Sequence, residues 1–337
     1  MSKKKTIVLS FDYELFFGDR SGTVQKTLIE PTNLLLDEMD SVGFKGNFFV
    51  DYLMLKYLAL ESDKQCKKDY DAIINQLKDM VRRGHRIELH IHPHWVDAKY
   101  NGNGTWNYDN FNHYGLNAFS YNEITTMFEE GTRILENIAH TVDPSYKVIA
   151  FRAGGWAIQP FEMVREGFER TGIMIDSSVS SGVYIDKDNT IVDFTKAPVK
   201  SSYHFSSDVC QEEPNGKFIE VPISAYYRDL FTSALTFISN KLAKGQARIP
   251  DGTHNRAADE YQQTTAGAME RQKMPAMFSL DNQPLRTKIK IKAFQDDLMC
   301  FIDHPKDFNG YTLKNIRMVA KCGVCETYAS LLKRGIL

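Results

Sequence analysis

Short apolar runs alternate with longer stretches of helical period along most of this 337-residue chain. Alternation of this kind is typical of a parallel sheet covered by helices. No glycine-rich phosphate-binding fingerprint follows the first run, so we predict an α/β fold of the (β/α) barrel type, with about seven parallel strands. The predicted strands are Thr6–Ser10, Gly46–Val50, Ile87–Ile91, Lys147–Phe151, Ile173–Ile175, Lys217–Val221 and Leu298–Ile302.

Two of the intervening stretches carry strong helix signals. Apolar residues recur at three- and four-residue spacing over 73–81, and Gly84 is placed to end that helix. Ser120 and Glu123 have the spacing of a capping box, which predicts that a second helix begins there. Helices of this length between the predicted strands support the βα succession.

Residues 231–289 interrupt the alternation. They are rich in Lys, Gln, Asn, Thr and Arg and include Gly245, Gly252 and Gly267. We therefore predict a single domain over residues 1–337 that carries an insertion or lid at about 231–289, before the last strand.

Charge and apolar content exclude several function classes. Lys and Arg number 41 against 43 for Asp and Glu, so no bulk charge favours nucleic acid or an acidic membrane surface. No stretch approaches the ~20 apolar residues of a membrane span, and the basic start lacks a long apolar segment. Five cysteines suit a reducing compartment. We expect a cytoplasmic protein with a small-molecule or glycan substrate, while its oligomeric state is not readable from the sequence.

Three of the nine histidines fall within five residues, at His90, His92 and His94, directly after an apolar run. If that run is a strand, its end delivers the imidazoles to one edge of a sheet, and the turn after Pro93 can fold His94 back beside His90. The cluster therefore predicts a site for one divalent cation.

Other predicted strands also end in ionisable residues. Asp12 and Glu14 lie two apart after the first strand, so on an extended segment they face the same side. Arg152, Asp176 and His304 follow later strands. Because barrel enzymes collect catalytic residues at the carboxyl ends of their strands, we expect these side chains to meet.

In this order the motifs resemble those of the polysaccharide deacetylase family, the group with NodB homology. The resemblance runs from residue 11 to residue 308 apart from the insertion, and it implies a distorted (β/α) barrel with fewer than eight regular strands. It rests on the following segments: Phe11–Glu14, Gly84-His85 leading to His90 and His94, Arg152–Trp156, Asp176 and His304.

For the metal, the resemblance implies one divalent ion held by Glu14, His90 and His94. A carboxylate with two imidazoles suits Zn²⁺ first, and also Co²⁺, Ni²⁺ or Mn²⁺. Tyr13 stands where the commoner family motif has its metal-binding Asp, so Glu14 would take that place.

For the chemistry, the resemblance implies hydrolysis of an amide bond in an N-acetylated carbohydrate. Asp12 would be the general base toward the attacking water, oriented by Arg152. His304 would be the general acid that protonates the leaving amine, oriented by Asp176. Amide hydrolysis needs such an acid because an amine anion is a very poor leaving group.

Several residues beside these motifs are candidate substrate contacts. Aromatic rings stack on sugar faces, which favours Tyr13, Trp95 and Trp156, and Gly155 allows close backbone approach. His92 lies between the two presumed ligands, and we predict a substrate contact there, with a third metal ligand or a spectator as alternatives.

Two other functions remain open from the sequence. The resemblance also covers hydrolases of cyclic amides and imides with the same barrel and metal, although the aromatic residues fit a sugar ring better. A catalytically inactive barrel that binds a glycan or a protein is the non-enzymatic alternative, and Tyr13 is the residue that supports it.

Overall fold

The computed structural model describes residues 4–108, 110–187, 190–229, 248–254 and 274–337. Its α-helices are α1 (Glu30–Ser41), α2 (Tyr52–Leu60), α3 (Lys64–Arg82), α4 (Tyr121–His140), α5 (Glu162–Thr171), α6 (Pro284–Ala293), α7 (Thr312–Ala320) and α8 (Tyr328–Lys333). Its strands are β1 (Lys5–Tyr13), β2 (Asn47–Asp51), β3 (Arg86–Ile91), β4 (Lys99–Tyr100), β5 (Trp106–Asn107), β6 (Ala150–Ala153), β7 (Ile175–Asp176), β8 (Tyr184–Lys187), β9 (Thr190–Asp193), β10 (Tyr203–Phe205), β11 (Phe218–Glu220), β12 (Ala225–Tyr226), β13 (Ala276–Met277), β14 (Leu298–Asp303) and β15 (Gly323–Cys325).

The main sheet has parallel strands in the order β11-β7-β6-β3-β2-β1-β14. β10 lies antiparallel on β11, and β15 pairs in parallel with the first residues of β1. Each predicted run overlaps one strand of this sheet. The predicted α/β class with a parallel sheet is therefore confirmed.

The two ends of this sheet approach each other through the chain that follows β11. Ser224 N donates to Cys300 O at 2.9 Å, and Ile302 N donates to Phe278 O at 3.0 Å. These hydrogen bonds attach loop segments to the free edge of β14. Closure into a barrel of about seven strands stays a prediction.

The central strands are buried over nearly their whole length, as expected for a parallel sheet with both faces covered. α4 packs against β3 and α5. A Cβ on Gly131 of α4 would lie 2.6 Å from Leu89 Cδ1, so only glycine allows this helix to approach β3 so closely.

Both predicted helix signals are confirmed. α3 ends at Arg82, and Gly84 follows it with a φ of 81°. Ser120 Oγ accepts from Glu123 N at 3.4 Å, and Glu123 Oε2 accepts from Ser120 N at 2.9 Å, which closes the capping box of α4.

The predicted insertion at 231–289 lies partly outside the described residues, which omit 230–247 and 255–273. Of its described part, the segment 248–254 is held against the residues that precede α1. Asp251 accepts from Thr23 N at 2.9 Å and from Thr27 Oγ1 at 2.9 Å. The proposed lid role stays a prediction. Across the described ranges, no helix combines the length and apolar character needed to cross a membrane.

His85 ties the start of β3 to the start of β2. Gly46 N donates to His85 Nδ1 at 3.0 Å, and His85 Nε2 lies 3.2 Å from Asp40 Oδ1. Burial lowers the pKa of His85 from 6.5 to about 4, although Asp40 opposes the shift. The folded protein therefore keeps this imidazole neutral, with Nδ1 as an acceptor.

This arrangement predicts a loss of stability in weak acid. Between pH 6.5 and about 4 the unfolded chain binds a proton at His85 that the folded chain does not. The free energy of unfolding should therefore decrease as the pH falls through that range, by up to about 3 kcal/mol from this group.

The matched variant is His85→Asn, because the amide oxygen still accepts from Gly46 N but takes up no proton. Urea unfolding of both proteins between pH 4 and pH 7 measures the effect. We expect the variant to lose less stability than the wild type on acidification, and parallel pH profiles would contradict the account.

Candidate functional site

The carboxyl ends of the central parallel strands meet at one edge of the sheet. β1 places Asp12 and Glu14 there, because residues two apart on an extended segment face the same side. β3 brings His90 and β6 brings Arg152, which are register partners. His304 directly follows β14. The predicted convergence of these residues is what the structure shows.

Three buried side chains form a compact donor group, Glu14, His90 and His92, whose ligand atoms all lie within 4.8 Å of one another. Glu14 Oε2 lies 2.6 Å from His92 Nε2 and 3.3 Å from His90 Nε2. His90 Nδ1 donates to Arg152 O at 2.6 Å, since a carbonyl can only accept. That hydrogen bond fixes the ring and turns Nε2 toward Glu14.

This donor group fits a divalent metal ion. One carboxylate and two imidazoles are a ligand set that proteins use for Zn²⁺ and related ions. The Nδ1 hydrogen bond of His90 is the outer support that metal-binding histidines need. Glu14 and His92 line the cavity described below, so an ion held by this group would be reachable from it.

His94 lies outside this group, which corrects its predicted place among the ligands. Pro93 begins a 3₁₀ turn, Pro93–Asp97, that carries His94 away from the extended line of β3. Its ring packs edge-on against Tyr108, with centroids 5.0 Å apart, and edge-on against Phe17 at 5.1 Å. His92 still has extended backbone, so it faces the same side as His90.

His94 packs among aromatic rings and also beside the ring of His92, with centroids 4.9 Å apart. Burial lowers the pKa of His94 well below the usual value, and its Nδ1, like that of His92, has no hydrogen-bond partner among the described residues. His94 is therefore a neutral ring within an aromatic cluster.

Asp12 and Arg152 form a buried ion pair. Arg152 Nη1 donates to Asp12 Oδ1 at 2.6 Å. Burial alone would raise the pKa of Asp12, but the charges of Arg152 and His90 and the hydrogen bond to His304 outweigh it and hold the pKa well below its usual range. Asp12 is therefore ionised, and Arg152 contacts one of its two carboxylate oxygens.

His304 lies beside both acidic residues of the site. Its Nε2 is 3.5 Å from Asp12 Oδ2 and 3.6 Å from Glu14 Oε1. Burial lowers the pKa of His304, but hydrogen bonds to Asp12 and Asp307 raise it by more, from 6.5 to about 10. The imidazole is therefore protonated at neutral pH.

Asp307, and not Asp176, accompanies His304. Asp307 Oδ2 lies 3.3 Å from His304 Nδ1. Asp176 is buried at the end of β7, where Ser178 Oγ donates to it at 2.8 Å and Glu220 is its other close carboxyl. The prediction that Asp176 orients His304 is corrected accordingly.

Tyr13 and Trp95, which we predicted to contact substrate, are buried away from the cavity. Tyr13 points to the opposite side of β1 from its two acidic neighbours and donates to Gln76 Oε1 at 2.7 Å. Trp95 Nε1 donates to Asp51 Oδ2 at 2.6 Å. Both are core residues. Strand alternation already places Tyr13 on the face opposite Asp12 and Glu14, whereas the sequence gives no such indication for Trp95.

A cavity of about 320 Å³ opens onto the donor group. The hairpin of β8 and β9 forms one wall and a turn containing Gly155 and Trp156 another, which places those two predicted contacts at the cavity together with His92. The lining residues are Asp12, Glu14, Phe17, His92, Tyr114, Gly155, Trp156, Ile185, Thr190, Val192, His254, His304, Lys306 and Asp307.

Lys306, Asp51 and Asp307 are site residues that were not predicted from the sequence. Lys306 lies in the 3₁₀ turn Pro305–Asp307 and donates to Glu14 Oε1 at 2.6 Å. Asp51 ends β2 and accepts from His92 N at 3.4 Å as well as from Trp95. Asp51 follows an apolar strand, as the other site residues do, so the same signal would have found it. Lys306 carried no comparable signal.

No protein-family model and no curated protein matches this sequence. The fold is similar to several solved structures at low identity. A protein assigned to the polysaccharide deacetylases, from Mycobacterium smegmatis, is 13% identical with a TM-score of 0.45, over 100% of this chain and 92% of that one. A CE4 family pseudoenzyme from Bacillus anthracis is 10% identical with a TM-score of 0.41, over 98% and 66%. A GH57 branching enzyme from Thermococcus kodakaraensis is 10% identical with a TM-score of 0.45, over 98% and 71%.

Proposed function

We propose that this chain is a metal-dependent hydrolase of amide bonds that removes the acetyl group from an N-acetylated carbohydrate. The observation that carries the proposal is the meeting, at one cavity, of a metal-compatible donor group with an ionised carboxylate and a protonated imidazole. Amide hydrolysis requires all three functions.

Glu14, His90 and His92 would hold the ion, and we propose zinc, with cobalt, nickel and manganese as alternatives. When bound there, the ion supplies Lewis acidity, which polarises an amide carbonyl and makes water a nucleophile near neutral pH. Asp51 helps to position His92, because it accepts a hydrogen bond from the backbone N–H of His92 at 3.4 Å.

Asp12 is the proposed general base. Its Oδ1 is occupied by Arg152, so Oδ2, which lies 3.5 Å from His304 Nε2, is the oxygen left for the attacking water. Fixing one carboxylate oxygen in this way positions the other for proton transfer.

His304 is the proposed general acid. Its Nε2 lies beside Asp12, and its Nδ1 lies beside Asp307. The raised pKa means that the proton is present before the reaction begins. Asp307 stabilises the charged ring and fixes its orientation, so His304 can donate from Nε2 to the leaving nitrogen.

The remainder of the cavity suits a sugar. Trp156 and Tyr114 offer aromatic rings, and Ile185 and Val192 offer an apolar wall to the C–H faces of a pyranose. A flat cyclic imide would use less of this surface, which favours the acetylated carbohydrate over the second enzymatic alternative.

The test is a substrate panel on metal-free protein reloaded with zinc, cobalt, nickel or manganese. We expect acetate release from at least one N-acetylated sugar or oligosaccharide, and none after removal of the metal. Ring opening of cyclic amides without acetate release would support the alternative hydrolase. Sugar binding with no turnover under any metal would support the non-catalytic barrel and contradict the proposal.

A further inference from the structure

We infer that Lys306 is a positioning residue that restricts Glu14 to coordinating the metal through a single oxygen. This inference rests on the metal site proposed above, since it concerns how one of its ligands is presented. It assigns a role to a buried lysine that the general acid–base scheme leaves unused.

The two oxygens of Glu14 have different partners. Lys306 Nζ donates to Oε1 at 2.6 Å. Oε2 faces the two imidazoles, at 2.6 Å from His92 and 3.3 Å from His90. The carboxylate therefore presents one oxygen to the donor group while the other is held by the ammonium.

The ammonium itself is held firmly in place. The side chains of Lys306 and Glu14 are each only 3% exposed. Lys306 Nζ also lies 3.3 Å from Leu15 O and 4.2 Å from the centre of the Phe17 ring. Lysine is almost never fully buried unless it is paired, and Glu14 is the carboxylate that pairs with Lys306 here.

Such a lysine has two separable effects on a bound cation. Its hydrogen bond keeps Oε1 from becoming a second ligand atom, which leaves a coordination position toward the cavity. Its positive charge lies on the far side of the Glu14 carboxylate from the ion and weakens binding of the ion by Coulomb repulsion. Lys306 therefore keeps the ion more weakly held and more electrophilic than the three ligands alone would.

Three substitutions separate the hydrogen bond from the charge. Lys306→Met removes both, Lys306→Gln keeps a donor without the charge, and Lys306→Arg keeps both. Lys56→Met is the control, since Lys56 pairs with Glu130 on the surface, at 2.7 Å. The measurements are the dissociation constant for Co²⁺ by competition and the visible absorption of the bound Co²⁺, which reports its ligand number.

We expect the Co²⁺ absorption spectrum to change only when the hydrogen bond to Glu14 is lost. The affinity for Co²⁺ should change whenever the positive charge at residue 306 is lost. Lys306→Met should change the Co²⁺ spectrum and bind the ion about tenfold more tightly or better. Lys306→Gln should bind more tightly with a wild-type spectrum. Lys306→Arg and Lys56→Met should resemble the wild type in both measurements.

Results that contradict this inference can be told apart from results that contradict the proposed metal site. A wild-type spectrum and a dissociation constant within about twofold in Lys306→Met would overturn this inference and leave the metal site standing. Loss of Co²⁺ binding in Lys306→Met, with the fold intact by circular dichroism, would also overturn it. A wild-type protein that binds no Co²⁺ would overturn the proposed function and the inference together.

Discussion

Replacing Asp12 with Asn is expected to lower kcat of the metal-loaded protein by about 10²- to 10⁴-fold, the usual contribution of a general base. Asn has the shape of Asp but cannot take a proton from water. The variant also leaves the charge of Arg152 without its carboxylate partner, which should lower stability. The remaining hydrogen bonds of Arg152, to Ser177 O at 2.7 Å and to Ser10 Oγ at 2.8 Å, should still keep the strand ends in place. The loss should therefore appear in kcat and not in metal content.

Asp176→Asn is the matched control for that experiment. Asp176 is also a buried Asp at a strand end, but its contacts are Ser178 and Glu220 and it does not line the cavity. We expect its kcat to stay near that of the wild type. Equal losses in the two variants would argue against Asp12 as the base.

Replacing Arg152 with Met is expected to destabilise the fold by about 3–5 kcal/mol, the cost of leaving one partner of a buried ion pair uncompensated. Arg152 is fully buried and joins three strand ends. It donates to Asp12 and Ser10 on β1 and to Ser177 after β7, while its own backbone lies on β6. No other side chain could supply these donors in the fixed geometry of a guanidinium.

Urea unfolding followed by circular dichroism measures this effect, and a double-mutant cycle identifies its origin. Removing the carboxylate charge as well, in Asp12→Asn/Arg152→Met, should recover part of the lost stability because no unpaired charge then remains. Lys in place of Arg152 should give an intermediate loss. A loss below about 1 kcal/mol in Arg152→Met would show that the buried pair is not what holds these strand ends.

The parts of the site that were predictable are those that follow directly from strand periodicity. Asp12 and Glu14 share a face because they lie two apart on β1, and His304 follows the buried run of β14. The carboxyl ends of parallel strands meet at one edge, so a list of ionisable residues after apolar runs was enough to assemble most of the site.

The same two-residue periodicity also predicts the position of His92, which lies two residues after His90. His92 continues the extended backbone of β3, with φ −110° and ψ 93°, so it shares a face with His90. The expectation that His94 folds back assumed a turn geometry that the sequence does not specify. The 3₁₀ turn begun by Pro93 instead places His94 among aromatic rings.

The remaining errors concern contacts made by turns and by opposite faces of strands. Lys306 and Asp307 reach Glu14 and His304 through a single 3₁₀ turn, and nothing in their spacing distinguishes them from surface residues. Asp176 also ends a strand of the sheet, but its carboxylate accepts a hydrogen bond from the nearby Ser178 instead of contacting His304. Such placements depend on tertiary packing, which residue spacing does not encode.

The most direct test of the account is the metal content of the purified protein, measured by mass spectrometry for the wild type, His92→Asn and His94→Asn. The wild type and His94→Asn should each contain about one equivalent of a transition metal after loading, and His92→Asn should contain little or none. A wild type that takes up no zinc, cobalt, nickel or manganese would contradict the central claim. Loss of metal in His94→Asn with retention in His92→Asn would show that the ion is held by the other pair of histidines.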